Sequence, residues 1–438
     1  MVSESITRHY ADHLERQQRV WEEAMAQEGY DSVIVHAGSA IEAFLDDYHY
    51  PFRPNPHFLA WLPLLQHEES VLIVRPGFKP VLYYYQPDDY WHLPPADPES
   101  WWADHFEVRV VREPGTWHQG VPVGHEAYLG DAPELDGEDD VNPPRLLNRL
   151  HLSRTRKTPY ELACLREASR LAAHCHRAAE DAFRAGCSEF EIHHAYLAAE
   201  SLEDAALPYG SIVALNTHGS VLHYQQRGRV RPTELNSFLI DAGVATHGYC
   251  SDITRTYSAR EDEFAALISA MDEVQRGLCN DMTAGTDYRE MHLRSHQDIA
   301  GVLAEAQIIR CDAATAVETG LSSVFFPHGL GHYLGLQTHD VAGLLVDHTG
   351  EQIPRPPGHP FLRLTRTLEP GNVLTVEPGL YFIPSLLERC RAGEHRDLVN
   401  WERVEALQPF GGIRIEDDVV VTEAEPENLT RDAFAALH

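Results

Sequence analysis

Two aspartates, Asp241 and Asp252, bracket a stretch whose residue types fold it back on itself. Leu239 and Ile240 lead into Asp241 along an apolar run, His247-Gly248 is a turn signal, and Tyr249 to Thr256 reads as the return strand. A turn centred near Thr246-His247 sets Asp241 opposite Asp252. Cross-strand neighbours have Cβ atoms about 4.5–5.5 Å apart, and carboxylates that close need a cation or a shared proton. Oxygen-rich ligand sets suit hard divalent metals, and paired metals are a common hydrolytic device. Taken alone, the stretch also admits a plainer reading, in which Asp241 ends a strand and Asp252 caps a turn.

A second concentration is Pro327-His-Gly-Leu-Gly-His-Tyr-Leu-Gly-Leu-Gln-Thr-His-Asp340, which puts His328, His332 and His339 in one glycine-rich run, with a further histidine at His223. Glycine lets backbone pack closely, so such a run can aim imidazoles inward. A single histidine is more often structural than a ligand; the clustering is what points to chemistry. Glu377 in Val373-Leu-Thr-Val-Glu-Pro-Gly379 and Glu416 in Gly412-Ile-Arg-Ile-Glu-Asp-Asp418 sit among strand-like apolar residues. A glutamate buried there must be paired, protonated or metal-bound, while a strand-end charge is the alternative.

The elements that must position these side chains follow from periodicity and punctuation. An amphipathic helix is predicted from about Thr7 to Gln27, stopped by Gly29 and followed by the strand Ser32–His36. Ser70–Val74 and Val81–Tyr85 flank Pro76-Gly77, a hairpin signal. The proline-rich Leu45–Pro56 and the segment Asp89–His92 form aromatic, acidic loops, and a solvated acidic loop is expected from Gly130 to Pro144. Thr158-Pro-Tyr-Glu161 is a capping box opening a long helix, and Ser188-Glu-Phe-Glu191 opens another to about Ser201. Strands are expected at Ser211–Leu215 and Ser237–Asp241. The organisation is an α/β N-terminal domain, residues 1–155, followed by a second domain, residues 156–438.

With 35 basic against 67 acidic residues, the formal charge is −32, which argues against nucleic acid and anionic membranes. Neither a signal peptide nor a membrane span is expected. Seven cysteines with no CxxC do not look like a disulfide framework, so a reducing cytoplasm is the expected location.

The order Asp241, Asp252, His332, Glu377, Glu416, in the contexts IDAG, SDITRT, HGLGHYLGLQTHD, TVEPG and GGIRIEDD, resembles the dinuclear metallopeptidase family M24. YPFRPNP, the DDYWH segment and the run from Tyr381 through Asp417 resemble its bacterial prolidase branch, the Xaa-Pro dipeptidases that include organophosphorus acid anhydrolases. The resemblance covers essentially the whole chain and implies an α+β pita-bread catalytic domain for residues 156–438. It implies two divalent ions, most often Mn²⁺, with Asp252 and Glu416 bridging, Asp241 completing one site, and His332 and Glu377 the other. Carboxylates plus one imidazole suit Mn²⁺ but leave Zn²⁺ and Fe²⁺ open.

The same resemblance implies hydrolysis of Xaa-Pro dipeptides by a hydroxide held between the metals, with Glu377 moving the proton and His223 and His339 stabilising the tetrahedral intermediate. Candidates for the substrate's free carboxylate are Arg414, placed two residues before Glu416 on the same strand face, and His328. Tyr209 and Tyr288 are candidates for the pocket wall. Asp46 or Asp47 is the candidate for the α-amino group, with Trp91 closing the pocket from the partner of a homodimer. The rival readings are an aminopeptidase P acting on longer Xaa-Pro peptides and a pita-bread binding module without catalysis. Hydrolysis of P–F or P–O bonds is an expected side reaction, since a tetrahedral phosphorus centre resembles the peptide transition state.

Overall fold

The structure is a computed structural model that describes residues 4–121, 124–131 and 140–437, so residues 132–139 of the expected acidic loop lie outside the described residues. The chain divides into two compact units. One comprises Met1–Cys164, His247–Tyr249 and Leu345–Gln352; the other comprises Leu165–Thr246, Cys250–Leu344 and Ile353–His438.

The N-terminal unit is built on a six-stranded sheet of β1 (Ser32–His36), β2 (Val71–Val74), β3 (Val81–Tyr85), β4 (Glu107–Val111), β5 (Glu126–Leu129) and β6 (Asp140–Val141), in the order β4-β3-β2-β1-β5-β6. β2 and β3 pair antiparallel across Pro76-Gly77, with Leu72 opposite Leu82. β1 and β2 are buried along their whole length, the mark of a sheet covered on both faces. The first long helix runs Tyr10–Glu28, and Gly29 closes it in the left-handed conformation, its N–H donating to Met25 O at 2.8 Å. The Thr158 capping box forms in full: Thr158 N–H donates to Glu161 Oε2 at 2.7 Å, and Glu161 N–H to Thr158 Oγ1 at 3.3 Å.

The C-terminal unit carries three small sheets. β7 (Ile212–Leu215), β8 (Ser237–Asp241) and β11 (Thr254–Ser258) form the first, in the order β11-β8-β7. β12 (Val373–Val376), β15 (Asp417–Val420) and β16 (Glu427–Asn428) form the second, and β13 (Gly379–Tyr381) with β14 (Gly412–Arg414) the third. Between β8 and β11 lies the short pair β9 (Ala245–Thr246) and β10 (Tyr249–Cys250).

Helices supply the apolar faces these sheets need. Phe183, Ile192 and Tyr196 pack with Val213, Phe238 and Ile240 in one core. Tyr288 and Leu330 pack with Leu374, Val376 and Val419 in another. The helix Glu189–Ala199 starts at the Ser188 capping box. Among the described residues no helix is long and apolar enough to cross a membrane.

Candidate metal centre

Asp241 is the last residue of β8, and its partner across the ladder is Thr254 rather than Asp252. The turn is the pair His247-Gly248, with φ of 51° and 89°, which suits a primed hairpin turn. It lies one residue later than the expected centre, so the register slips by two. Because side chains alternate with period two, the slip keeps both carboxylates on one face as diagonal rather than direct neighbours. Ala242 N–H donating to Ile253 O at 3.0 Å carries the ladder past the end of β8.

Glu416 reaches the same place from the link between β14 and β15. Its N–H donates to Thr254 O at 3.1 Å, and Thr254 Oγ1 donates to Glu416 Oε2 at 2.7 Å. His332 arrives on the glycine-rich loop, its N–H on Thr375 Oγ1 at 3.2 Å and its Nδ1 on Tyr333 O at 2.9 Å. With the proton on Nδ1, the Nε2 lone pair is free to ligate; Nε2 lies 3.4 Å from Asp252 Oδ2 and 3.9 Å from Glu377 Oε1. The close approach requires Gly331, since a Cβ there would run into Thr375 O and the Tyr288 hydroxyl.

Asp252, His332 and Glu416 are all buried, and one ligand atom from each falls within 4.8 Å of the others. Among the described residues Asp241 Oδ1 is buried without a hydrogen-bond partner, an arrangement that costs roughly 1–3 kcal/mol unless something binds it. Carboxylates and one imidazole so gathered fit divalent cations of hard to borderline character.

Comparison with known proteins agrees with this chemistry. Residues 8–152 match the family model "Xaa-Pro dipeptidase, N-terminal domain", and residues 163–423 match "Metallopeptidase family M24". The chain belongs to metallopeptidase family M24. A Xaa-Pro dipeptidase of Stenotrophomonas maltophilia (strain R551-3) is 47% identical over 442 aligned residues, covering 100% of both chains. One from Xanthomonas campestris pv. campestris (strain 8004) is 48% identical over 440, again covering 100% of both. Among solved structures, Escherichia coli aminopeptidase P with the inhibitor Pro-Leu superposes with a TM-score of 0.73 at 23% identity, over 99% of this chain and 96% of that one. The zinc-substituted form of that enzyme in complex with product gives 0.71 at 22% identity, over 100% and 99%. These likenesses establish the α/β N-terminal domain and the pita-bread fold.

The electrostatics are those of this metallopeptidase before its cations are counted. Burial, then Asp252, Glu377 and Asp241, push Glu416 well above the usual carboxylate range. Burial and the neighbouring Asp252 also raise Asp241, against the pull of Arg414. Burial raises Glu377 to about 7, helped by Asp252 and Asp241 and opposed by His332 and Arg414. Asp252 alone goes down: burial works to raise it, but His332 and the Tyr209 hydroxyl outweigh that cost.

Several of the residues expected to contact substrate are hydrogen-bonded within the protein. Arg414 is buried, with Nη2 on Asp241 Oδ2 at 2.7 Å, Nη1 on the Tyr381 hydroxyl at 2.9 Å and Nε on Thr254 Oγ1 at 3.2 Å. Three of its five N–H groups are thus engaged within the protein, one of them on Asp241. Tyr209 donates to Asp252 Oδ1 at 2.5 Å, holding a ligand in place. Tyr288 is fully buried, its hydroxyl on Thr375 O at 3.0 Å, so it belongs to the core and not to a pocket wall.

The remaining candidates keep some access. His328 is half-buried, with Nε2 on the Tyr381 hydroxyl at 2.9 Å and Nδ1 3.6 Å from Glu377 Oε2. His339 is exposed and sets its ring edge-on to His332, centroids 4.4 Å apart. His223 is exposed. Asp46, Asp47 and Trp91 belong to the N-terminal unit and are exposed there.

Sequence reading passed over Thr254, Tyr381 and Asp418. Asp418 accepts the Asp252 N–H at 3.1 Å, and the acidic triplet Glu416-Asp-Asp418 was its only signal. Thr254 could have been found as the residue two along from Asp252 on the same strand face; nothing in the sequence marks Tyr381.

Proposed function

We propose that this metallopeptidase is a Xaa-Pro dipeptidase that releases C-terminal proline. The observation that carries the reading is the buried group Asp252, His332 and Glu416, with the unpartnered Asp241 Oδ1 beside it. Asp241, Asp252, His332, Glu377 and Glu416 would hold two divalent cations, most simply Mn²⁺. Bound there, such cations supply Lewis acidity toward a water and toward the scissile carbonyl. Dipeptides rather than longer peptides follow from the relatives named Xaa-Pro dipeptidase, which match over their full length.

Glu377 would take the proton from the attacking water and pass it to the leaving proline nitrogen. Its carboxyl sits among the metal-holding residues, Oε1 3.9 Å from His332 Nε2. His223 and His339, both exposed, would donate hydrogen bonds to the oxyanion, and His328 would meet the substrate's carboxylate. Arg414, Tyr209 and Thr254 would position ligands. Organophosphate hydrolysis would be a secondary activity of the same centre.

The N-terminal unit would serve substrate access and homodimer formation. Phe44 (89% exposed), Leu45 (90%), Tyr90 (88%) and Leu93 (96%) leave apolar surface on the loops that carry Asp46, Asp47 and Trp91, and such surface marks interfaces. None of the seven cysteines is in a disulfide, which suits the cytoplasm.

The deciding experiment is proline release from Ala-Pro and Leu-Pro by chelator-treated protein, before and after Mn²⁺ is restored. Activity should return with the metal; no release with any of Mn²⁺, Co²⁺ or Zn²⁺ would defeat the reading. A tripeptide with proline second should be cleaved far more slowly, and the reverse preference would make the chain an aminopeptidase P. Release of nitrophenol from a p-nitrophenyl phosphotriester tests the secondary activity.

A further inference from the structure

Away from this centre, the described residues contain one other gathering of metal-ligating atoms. His292, His296 and His359 each offer a ring nitrogen within 4.8 Å of the others. His292 and His296 stand one turn apart on the helix Tyr288–Glu305, each only 1% exposed. His359 is half-buried on the loop Pro354-Arg-Pro-Pro-Gly-His-Pro360.

The hydrogen bonding does not satisfy the group. His292 Nε2 and His359 Nδ1 share one bond at 2.9 Å, and His296 Nδ1 meets Ser322 Oγ at 3.1 Å. His292 Nδ1 and His296 Nε2 are buried without a partner. An unmade hydrogen bond on a buried polar atom costs roughly 1–3 kcal/mol, and a cation on His296 Nε2 would relieve one of these two while His292 Nδ1 stays unpaired. Packing with Phe326, whose centroid lies 6.1 Å from His292 and 4.8 Å from His296, accounts for the ring faces but not for the nitrogens.

The chemistry of the group selects a ligand class. Burial pushes His292 down to about 2 and His296 down to about 3, and lowers His359 as well. All three rings are therefore neutral near pH 7, the form in which imidazole binds metal. With no carboxylate in the group, the set suits Zn²⁺, Co²⁺, Ni²⁺ or Cu²⁺ rather than Mn²⁺, Mg²⁺ or Ca²⁺.

We propose that His292, His296 and His359 form a further metal site, separate from the carboxylate centre, that takes a borderline divalent cation such as Zn²⁺ with solvent in the fourth position beside His359. With Ser322 Oγ as acceptor of an Nδ1–H, the His296 Nε2 lone pair would be left for the ion, as outer-shell partners of zinc ligands leave it. Ring nitrogens around a tetrahedral zinc stand about 3.3 Å apart. The His292–His359 pair must therefore open by a few tenths of an ångström, and the half-buried loop carrying His359 is the side able to move. Binding would staple that loop to the helix.

The test uses untagged full-length protein, in two arms. In the first, protein dialysed against Zn²⁺ is analysed for metal per chain; the parent should retain one equivalent more than His359→Ala. In the second, the carboxylate centre is disabled by Asp252→Asn with Glu416→Gln, and Co²⁺ is added. The visible bands of a four-coordinate, nitrogen-rich cobalt site should appear in that double variant. They should vanish, with affinity lowered at least about 100-fold, when either His296→Ala or His359→Ala is added. Circular dichroism checks that each variant is folded, and His359→Ala, on a loop, keeps the test available if His296→Ala is not. Equal metal content in parent and His359→Ala, or cobalt bands that survive loss of His359 in folded protein, would overturn the proposal.

Discussion

Asp241, Asp252, Glu377 and Glu416 converge around His332 as acidic groups, whereas His292, His296 and His359 converge as neutral rings. The two groups lie in the same unit and are assembled by different means. The carboxylates carry supports: Arg414 on Asp241, Tyr209 on Asp252 and Thr254 on Glu416. The imidazoles have one outer partner among the described residues, Ser322. Like charges brought together in a low-dielectric interior repel, so the anionic group needs built restraints and a cation. Neutral rings can be gathered by burial alone.

The sharpest way to break the comparison is to remove one ligand from each side. Glu416→Gln should lower proline release by on the order of 10³-fold or more, since one of the carboxylates that would hold the hydrolytic ions is lost. His359→Ala should leave proline release in Mn²⁺ within about twofold, because that ring would hold only the separate ion. Comparable losses in both would mean that the groups act as one.

Supports should matter less than ligands. Arg414→Met should weaken Mn²⁺ binding by roughly 10–100-fold, as outer-shell losses do, read by titration calorimetry of chelator-treated protein. Tyr209→Phe removes one hydrogen bond to Asp252 and should cost about tenfold or less. A Tyr209 effect larger than that of Arg414 would overturn the ranking of the two supports.

The smallest effects concern pH, and the two groups should differ in sign. In chelator-treated protein Glu416, Asp241 and Glu377 have folded pKa values above their unfolded ones, so the fold binds more protons and gains stability as pH falls through those raised values toward about 4–4.5. For His292 and His296 the folded values are depressed. Their contribution is complete above the unfolded value of about 6.5 and is lost as pH falls below it. Glu416→Gln should therefore raise Tm at pH 8 by about 1–3 °C, a gain that shrinks toward pH 5. His292→Gln should cost most at pH 7–8, its deficit narrowing toward pH 5. Parallel profiles for the two variants would contradict the opposite electrostatics.

Much of the centre was legible because its ligands are chemically conspicuous. Carboxylates among apolar strand residues and histidines in a glycine-rich loop are anomalies in any sequence, and motif order joined them. Capping boxes at Thr158 and Ser188 were legible because each is complete within four consecutive residues. The His292/His296 pair was visible in principle as helical spacing, but its third member is 67 residues away in sequence.

By itself, then, the amino-acid sequence determined the ligand types, the hairpin that carries two of them and the helices that back it, all through local spacing and composition. Only the tertiary structure decided which groups pair. It put Asp241 opposite Thr254, through a turn one residue later than its residue types suggested. It also gave Arg414 to Asp241, 173 residues away. A guanidinium on a strand can serve any carboxylate within reach, and which one it meets depends on how separate sheets are set together, as the bridge between Thr254 and Glu416 sets these.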